Sequence, residues 1–320
     1  MRNDLSVLGA AAICLAVGLV SVQAEELLIF SYKPTAEASY AIYTQMPGVA
    51  DQRTSLLSIA GDAWCPRVSP DGTRVAFVEK SSGAIYVANI DGTAVTPLGN
   101  STPASALDWS TDGARIYFWG AADRRAAHGF YSVPVTGGTT TPLWGGRTFW
   151  AWFYDGGFEV FAATDATGQS ADHILVGASQ SGQSGGKCDL LQVRVDAAAV
   201  TPTVVFDGLG DIYTPSRNSL TGQILFQADH DRAGSHAVYI RETDGTARVM
   251  SALYAGNPAW NYDTSRGTPS IDRFAYVRAP MSSYGAAAYQ GTLYVAGTDG
   301  SLVALNTTGT AACPSFFNAR

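Results

Sequence analysis

The chain has 320 residues and a net charge of −7, with 15% charged residues and 34 glycines. That composition points to a turn-rich all-β protein and away from helical bundles and disordered chains. Only three lysines occur (Lys33, Lys80 and Lys187), and there is no basic cluster. Nucleic acid and anionic membrane surfaces are therefore not expected partners.

The first segment reads as a targeting sequence. Arg2 supplies a positive n-region, Leu5 to Val22 is uncharged and mostly apolar, and Val22-Gln23-Ala24 fits a small-residue cleavage site. Residues 1–24 are thus expected to be a signal peptide and Glu25 the mature start. The apolar stretch approaches the roughly 18 residues of a membrane-span candidate. Alanine and glycine dilute it, however, and the cleavage site follows at once, so no stable membrane insertion is expected after cleavage. The bulky Ile13 before Cys14 argues against a lipoprotein signal. The expected location is periplasmic or secreted. Three cysteines remain, Cys65, Cys188 and Cys313, which allow at most one internal pair.

Residues 25–320 read as one domain built from a repeat. Asp71-Gly72, Asp112-Gly113 and Asp155-Gly156 are separated by 41 and then 43 residues, a blade-like period. Each Asp-Gly lies between apolar runs, where it suits a tight hairpin. Cys65-Pro66-Arg67-Val68 aligns with Thr214-Pro215-Ser216-Arg217, and Asn257-Pro258-Ala259-Trp260 starts a further unit. A third strand returns as an apolar–aromatic pair: Ile42-Tyr43, Ile85-Tyr86, Phe130-Tyr131, Val238-Tyr239 and Leu293-Tyr294. A second turn and a short fourth strand follow, as in Val95-Thr96-Pro97-Leu98.

The pattern gives complete units at about 63–102, 103–146, 147–208, 209–256 and 257–310. A sixth is composite: Cys313 to Phe317 restarts the repeat and stops, whereas Leu27-Leu28-Ile29-Phe30 begins at its second strand. The expected fold is all-β: a six-bladed β-propeller closed by pairing of the N- and C-terminal segments in one blade, which removes exposed sheet edges. The third unit departs from the pattern. Its segment from Thr164 to Lys187 contains the Gly/Ser tract 177–186 and is expected to be a mobile loop projecting from the ring.

The run Pro66-Arg67-Val68-Ser69-Pro70-Asp71-Gly72-Thr73-Arg74-Val75-Ala76-Phe77, continued by Ile85 to Gly92, resembles the WD40-like repeat of the TolB family. The resemblance is sharpest in the units starting at 63 and 103. Such blades also occur in the propellers of prolyl-oligopeptidase-like enzymes and in oligogalacturonate lyases. TolB proteins carry an N-terminal α/β domain, and the peptidases an α/β-hydrolase domain; the repeats leave room for neither here. The resemblance therefore implies the propeller fold and an exported setting, without a set of catalytic residues.

Site chemistry is sparse. Gly182-Gln183-Ser184-Gly185-Gly186 matches G-x-S-x-G, but a nucleophile elbow needs a strand before and a helix after it. Asp229-His230-Asp231 with His236 forms the one histidine–carboxylate cluster and a weak metal candidate, since a polar hairpin tip is usually just solvated. No metal and no cofactor is expected. His128 and His173 are expected to be exposed singly.

Trp109, Trp152 and Trp260 share one inner-strand register and read as packing between blades. Trp64 and Trp150 fall outside it, near a channel mouth, where an exposed aromatic could stack on a ligand. The opposite parity, Arg67, Asp108, Ala151, Ser216, Ala259 and Ser315, suits a narrow wet channel, with Arg67 and Asp108 on adjacent blades. Trp64, Arg67, Asp108 and Trp150 are thus the channel-mouth binding candidates. Cys65 and Cys313 enter inner strands of neighbouring blades at equal height, so a disulfide is allowed if their Cα atoms approach within about 7 Å. Asn100-Ser101-Thr102 and Asn306-Thr307-Thr308 are acceptor motifs for glycosylation.

The functional expectation is a monomeric exported module that binds a protein or cell-envelope component without catalysis. The alternatives are a polyuronide-lyase-like enzyme and a small-ligand sensor using the channel mouth.

Overall fold

The computed structural model describes residues 25–99, 102–120, 129–144, 157–164, 168–179, 188–197, 201–229, 236–251, 255–260, 273–279 and 290–319. Among these, every regular element is a strand. In chain order, β1 (Glu25–Lys33), β2 (Ala41–Gln45) and β3 (Thr54–Leu57) come first. Then follow β4 (Ala63–Val68), β5 (Arg74–Glu79), β6 (Ile85–Asn89) and β7 (Thr96–Pro97), and next β8 (Ala104–Trp109), β9 (Arg115–Gly120), β10 (Gly129–Pro134) and β11 (Thr141–Trp144). The third set is β12 (Phe158–Thr164), β13 (Ser170–Ala178), β14 (Asp189–Arg194) and β15 (Thr203–Phe206). The fourth is β16 (Asp211–Arg217), β17 (Ile224–Asp229), β18 (Ala237–Arg241) and β19 (Ala247–Val249). The last strands are β20 (Ala255–Trp260), β21 (Arg273–Arg278), β22 (Gln290–Gly297), β23 (Leu302–Ala304) and β24 (Thr310–Ala319).

The sheets form a β-propeller arrangement. Four are four-stranded antiparallel meanders: β4 to β7, β8 to β11, β12 to β15 and β16 to β19. The fifth has eight strands, because β22 reaches β24 through Gln290↔Ala312 and Gly291↔Ala311 and so joins β20–β23 to β24-β1-β2-β3. The two ends of the described chain pair there, from Glu25↔Ala319 to Lys33↔Thr310. First strands touch in succession: β4 meets β8, β8 meets β12, β12 meets β16, β16 meets β20, β20 meets β24, and β24 meets β4.

Burial falls along each meander, for reasons visible in the residues. Second strands such as Arg74-Val-Ala-Phe-Val-Glu79 are buried on both faces, between neighbouring sheets. Third strands alternate, and fourth strands are largely exposed. The recurrent third-strand tyrosine lies directly opposite a second-strand aromatic. Phe77/Tyr86, Phe118/Tyr131, Phe226/Tyr239 and Tyr276/Tyr294 are register partners whose rings stack at 5.5, 5.5, 5.8 and 5.5 Å. Each such cross-strand pair contributes about 0.2–1 kcal/mol.

The first hairpins close in the same way in two sheets. Gly72 and Gly113 adopt φ of 63° and 68° and donate to Ser69 and Ser110 carbonyls at 2.7 and 2.9 Å. Asp71 and Asp112 accept from Thr73 and Ala114 backbone N–H and from the Ser69 and Ser110 hydroxyls. These bonds hold the Asp71 carboxyl at about 2, against the opposing cost of its burial.

One expectation for the third unit is corrected. The segment from Thr164 to Lys187 is not wholly loop, because Ser170–Ala178 forms β13, paired from Thr164↔Ser170 to Phe158↔Val176. The polar start Ser170-Ala171-Asp172-His173 hid it, although its partner strand shields it. The remaining Gly/Ser tract lies outside the described residues. Among the described residues the first-strand place of this sheet is taken by β12, which touches β8 and β16 and brings Glu159 to the cavity, while Ala151 lies outside the described residues.

Candidate functional site

The first strands surround a cavity of about 40 Å³, lined by Arg67, Asp108, Phe158, Glu159, Thr214, Pro215, Ser216, Pro258, Ala259, Trp260, Cys313, Pro314 and Ser315. Five of the six expected channel positions are here together with Glu159, and the sixth, Ala151, lies outside the described residues. That volume suits a few water molecules. The first strands bulge at their Xaa-Pro steps, with register shifts at Trp64/Arg67, Tyr213/Ser216 and Gly256/Ala259. Cys65 and Thr214 take left-handed φ of 49° and 42° at two of these steps, and Cys313 takes 50° at the equivalent step of β24, where the pairing with β1 shifts between Ile29 and Ser31.

Around the cavity three inward side chains, Asp108, Glu159 and Ser216, each tie their strand to the next. The Asp108 carboxylate accepts the Val160 N–H at 2.8 Å, and the Ser216 hydroxyl accepts the Trp260 N–H at 3.1 Å. Between them, the Glu159 carboxylate accepts the Arg217 N–H at 2.5 Å. The Trp109 indole donates to the Arg67 carbonyl at 2.9 Å, whereas the buried Trp260 Nε1 meets no acceptor among the described residues. Asp108 also accepts its neighbour's N–H, Trp109, at 2.8 Å. Arg67 donates to the Pro66 carbonyl at 3.1 Å and acts on Asp108 through its charge.

Burial dominates the electrostatics. It pushes Asp108 up to about 6, opposed by the Arg67 charge and the two N–H bonds. Burial and the Asp108 charge push Glu159 up to about 8, against the Arg217 N–H and the Arg217 and Arg67 charges. Both carboxyls are therefore held above the usual carboxylate range, Glu159 more strongly than Asp108.

Trp64 requires a correction. It is 1% exposed, packed edge-on to Tyr40 at 4.6 Å with the Lys80 Nζ 3.4 Å from its ring centroid. It is core beside the cysteines, because its strand enters under the β1–β2 connection, and it offers no stacking face. Trp109 and Trp260 are buried as packing residues, at 2% and 0%. Trp150, Trp152, Ala151, His230, Asp231, His128 and Gly182 to Gly186 lie outside the described residues.

His236 Nε2 stands 3.8 Å from Asp229 Oδ2, with Tyr213 edge-on at 5.3 Å. Burial lowers the His236 pKa, partly offset by Asp229 and Asp211. Among the described residues no three His, Cys, Asp or Glu side chains group to hold a metal. His173 is buried at 8%, not exposed: its Nδ1 lies 3.1 Å from the Ala171 carbonyl and its ring beside Phe161. Asn306 is 2% exposed and its amide is engaged with Leu293 N–H and the Thr308 carbonyl, which removes it as a glycosylation acceptor in the folded chain. Asn100 and Ser101 lie outside the described residues.

Cys65 and Cys313 are joined by a disulfide with Cα atoms 4.9 Å apart. The two equivalent bulges bring them to one height, as the repeat alignment requires.

This arrangement of sheets is that of a TolB-like β-propeller. TolB from Acinetobacter baumannii superposes with a TM-score of 0.63 at 14% identity over 91% of this chain, which spans 66% of that protein. Putative TolB from Agrobacterium tumefaciens gives 0.56 at 14%, covering 90% and 91% of the two chains. A chain of the nidogen/laminin complex gives 0.59 at 10%, covering 91% and 98%. No family model and no curated protein matches the chain by sequence.

Proposed function

We propose that the chain is an exported, monomeric β-propeller that binds a protein or cell-envelope component and has no catalysis of its own. Residues 1–24 serve as its signal peptide and residues 25–320 form one six-bladed domain. The cyclic contacts of the first strands and the pairing of β1 with β24 support six blades. The eight-stranded sheet then counts as two blades bridged at the start of β24.

The observation that carries the binding reading is the size of the central cavity. At about 40 Å³ it is far below the roughly 300–1,000 Å³ of a small-ligand site. Recognition then falls to the surface, where a propeller offers a broad face to another macromolecule. The likeness to a chain from the nidogen/laminin complex, itself a protein–protein assembly by its name, is in keeping with that use of the fold. Among the described residues no helix is long and apolar enough to cross a membrane.

Affinity capture from envelope extract with the mature chain, followed by titration of the recovered component in pure form, tests the reading. One saturable complex at physiological salt is expected. Cleavage of a polyuronide that is lost in His236→Ala, with no captured component, overturns it.

A further inference from the structure

We propose that the Cys65–Cys313 disulfide is a sealed latch: it forms only in a compartment that oxidises thiols, it fixes the terminal sheet to the first sheet, and in the folded protein soluble reductants cannot open it. The placement is the first argument. The bond spans 248 residues and ties β4 to β24, the strand that pairs with β1 and so carries both ends of the described chain. The equivalent bulge in β16 holds Thr214. Of these equivalent steps, the junction between the terminal and first sheets has a cysteine on each side.

Burial is the second argument. Cys65 and Cys313 are 2% and 1% exposed, in a cluster with Tyr40, Trp64 and Ala312. The Cys65 N–H donates to the fully buried Ser31 hydroxyl at 3.0 Å, and the Ala63 N–H to the Tyr40 carbonyl at 2.9 Å. Reduction needs in-line attack of a thiolate on one sulfur. Here the two cysteines are packed in one buried cluster with Trp64, Tyr40 and Ala312, Lys80 lies over the indole, and the one opening beside them is the water-sized cavity that Cys313 borders. The third thiol, Cys188, cannot serve as attacker: it is 1% exposed, and its N–H is bound to Asp211 of the fourth sheet.

Closing the latch removes two protons and two electrons from the Cys65 and Cys313 thiols and forms one S–S bond. A disulfide oxidant of the exporting compartment accepts the two electrons and two protons, a protein disulfide becoming a dithiol or glutathione disulfide becoming two molecules of glutathione. The proposal holds whether or not the chain binds a partner, so its failure and the failure of the binding reading are separable.

Maleimide counting on the mature wild-type chain tests it. Native oxidised protein should take no label, denatured protein one at Cys188, and denatured reduced protein three. The bond should survive millimolar dithiothreitol in native buffer and yield at once in denaturant. The Cys65→Ser/Cys313→Ser variant should melt roughly 5–10 °C lower, whereas Cys188→Ser should keep the bond. Three labels in denatured oxidised protein, rapid reduction of the native bond, or an unchanged melting temperature in the double variant overturns the latch. Should the double variant fail to fold, the wild-type counts and reduction rates still decide.

Discussion

Two costs act together to push the Glu159 carboxyl up to about 8: removal from water and the charge of Asp108 in the same cavity. The consequence for stability has a definite sign. The native state holds the Glu159 proton up to about pH 8, whereas an unfolded glutamate releases it near 4.5. Between those values the native state binds more protons than the unfolded one, so stability falls as pH rises. Asp108, raised to about 6, acts in the same direction over a narrower range. Glu159→Gln keeps an acceptor for the Arg217 N–H and removes the titration. It should raise stability at pH 9 by roughly 1–3 kcal/mol and leave pH 5 nearly unchanged, as read from urea midpoints. Equal slopes against pH for variant and wild type would count against the assignment. The channel register of Arg67, Asp108, Ser216, Ala259 and Ser315 was legible because a strand alternates its side chains strictly. Glu159 was missed because Asp155-Gly156, spaced like the other Asp-Gly turns, drew attention to the residues before it. Phe158-Glu159-Val160 set against Leu107-Asp108-Trp109 was the available signal: an acid between apolar neighbours in both.

At the level of single elements, the paired aromatics and Asp-Gly turns are readable because each is enforced locally. A tyrosine finds its cross-strand partner, and a glycine supplies a positive φ. Contacts between sheets leave fainter marks, and Gly177 in β13 shows why. A Cβ there would lie 2.0 Å from the Ile212 carbonyl oxygen of β16, a backbone atom that cannot swing aside. From sequence, Gly177 looks like the start of the Gly/Ser tract; in the fold it lets two sheets approach. Gly177→Ala should cost roughly 2–3 kcal/mol or more through forced separation of the sheets. Gly99→Ala, at φ 67° with nothing within 4 Å of the new Cβ, should cost only about 1 kcal/mol. Thermal melts of the two variants side by side check the order. If Gly99→Ala proves the more damaging, the close approach of β13 and β16 is not the controlling feature.

For the whole molecule, the question is what keeps an assembly of meanders from opening. Each meander buries its second strand only when sheets stand on both sides of it, so a gap anywhere exposes two faces as well as two edges. The strand β24 stands at the point of greatest consequence. It pairs with β1 along its length and with β22 at its start, and it touches β4, β20 and β21. Removing residues 311–320 deletes that strand together with Cys313, leaving β1 and the start of β22 as unpaired edges. The expected outcome is aggregation. The Cys65→Ser/Cys313→Ser variant is the control, because it loses the covalent tie but keeps the strand and should remain folded with a lower melting temperature. Removing only residues 318–320 deletes the pairs Glu26↔Asn318 and Glu25↔Ala319 at the fraying end, and should shift melting by about a degree or two. A soluble, monomeric 311–320 deletion that melts with the full chain would mean that the terminal strand is dispensable, and the closed arrangement of sheets would have to be abandoned.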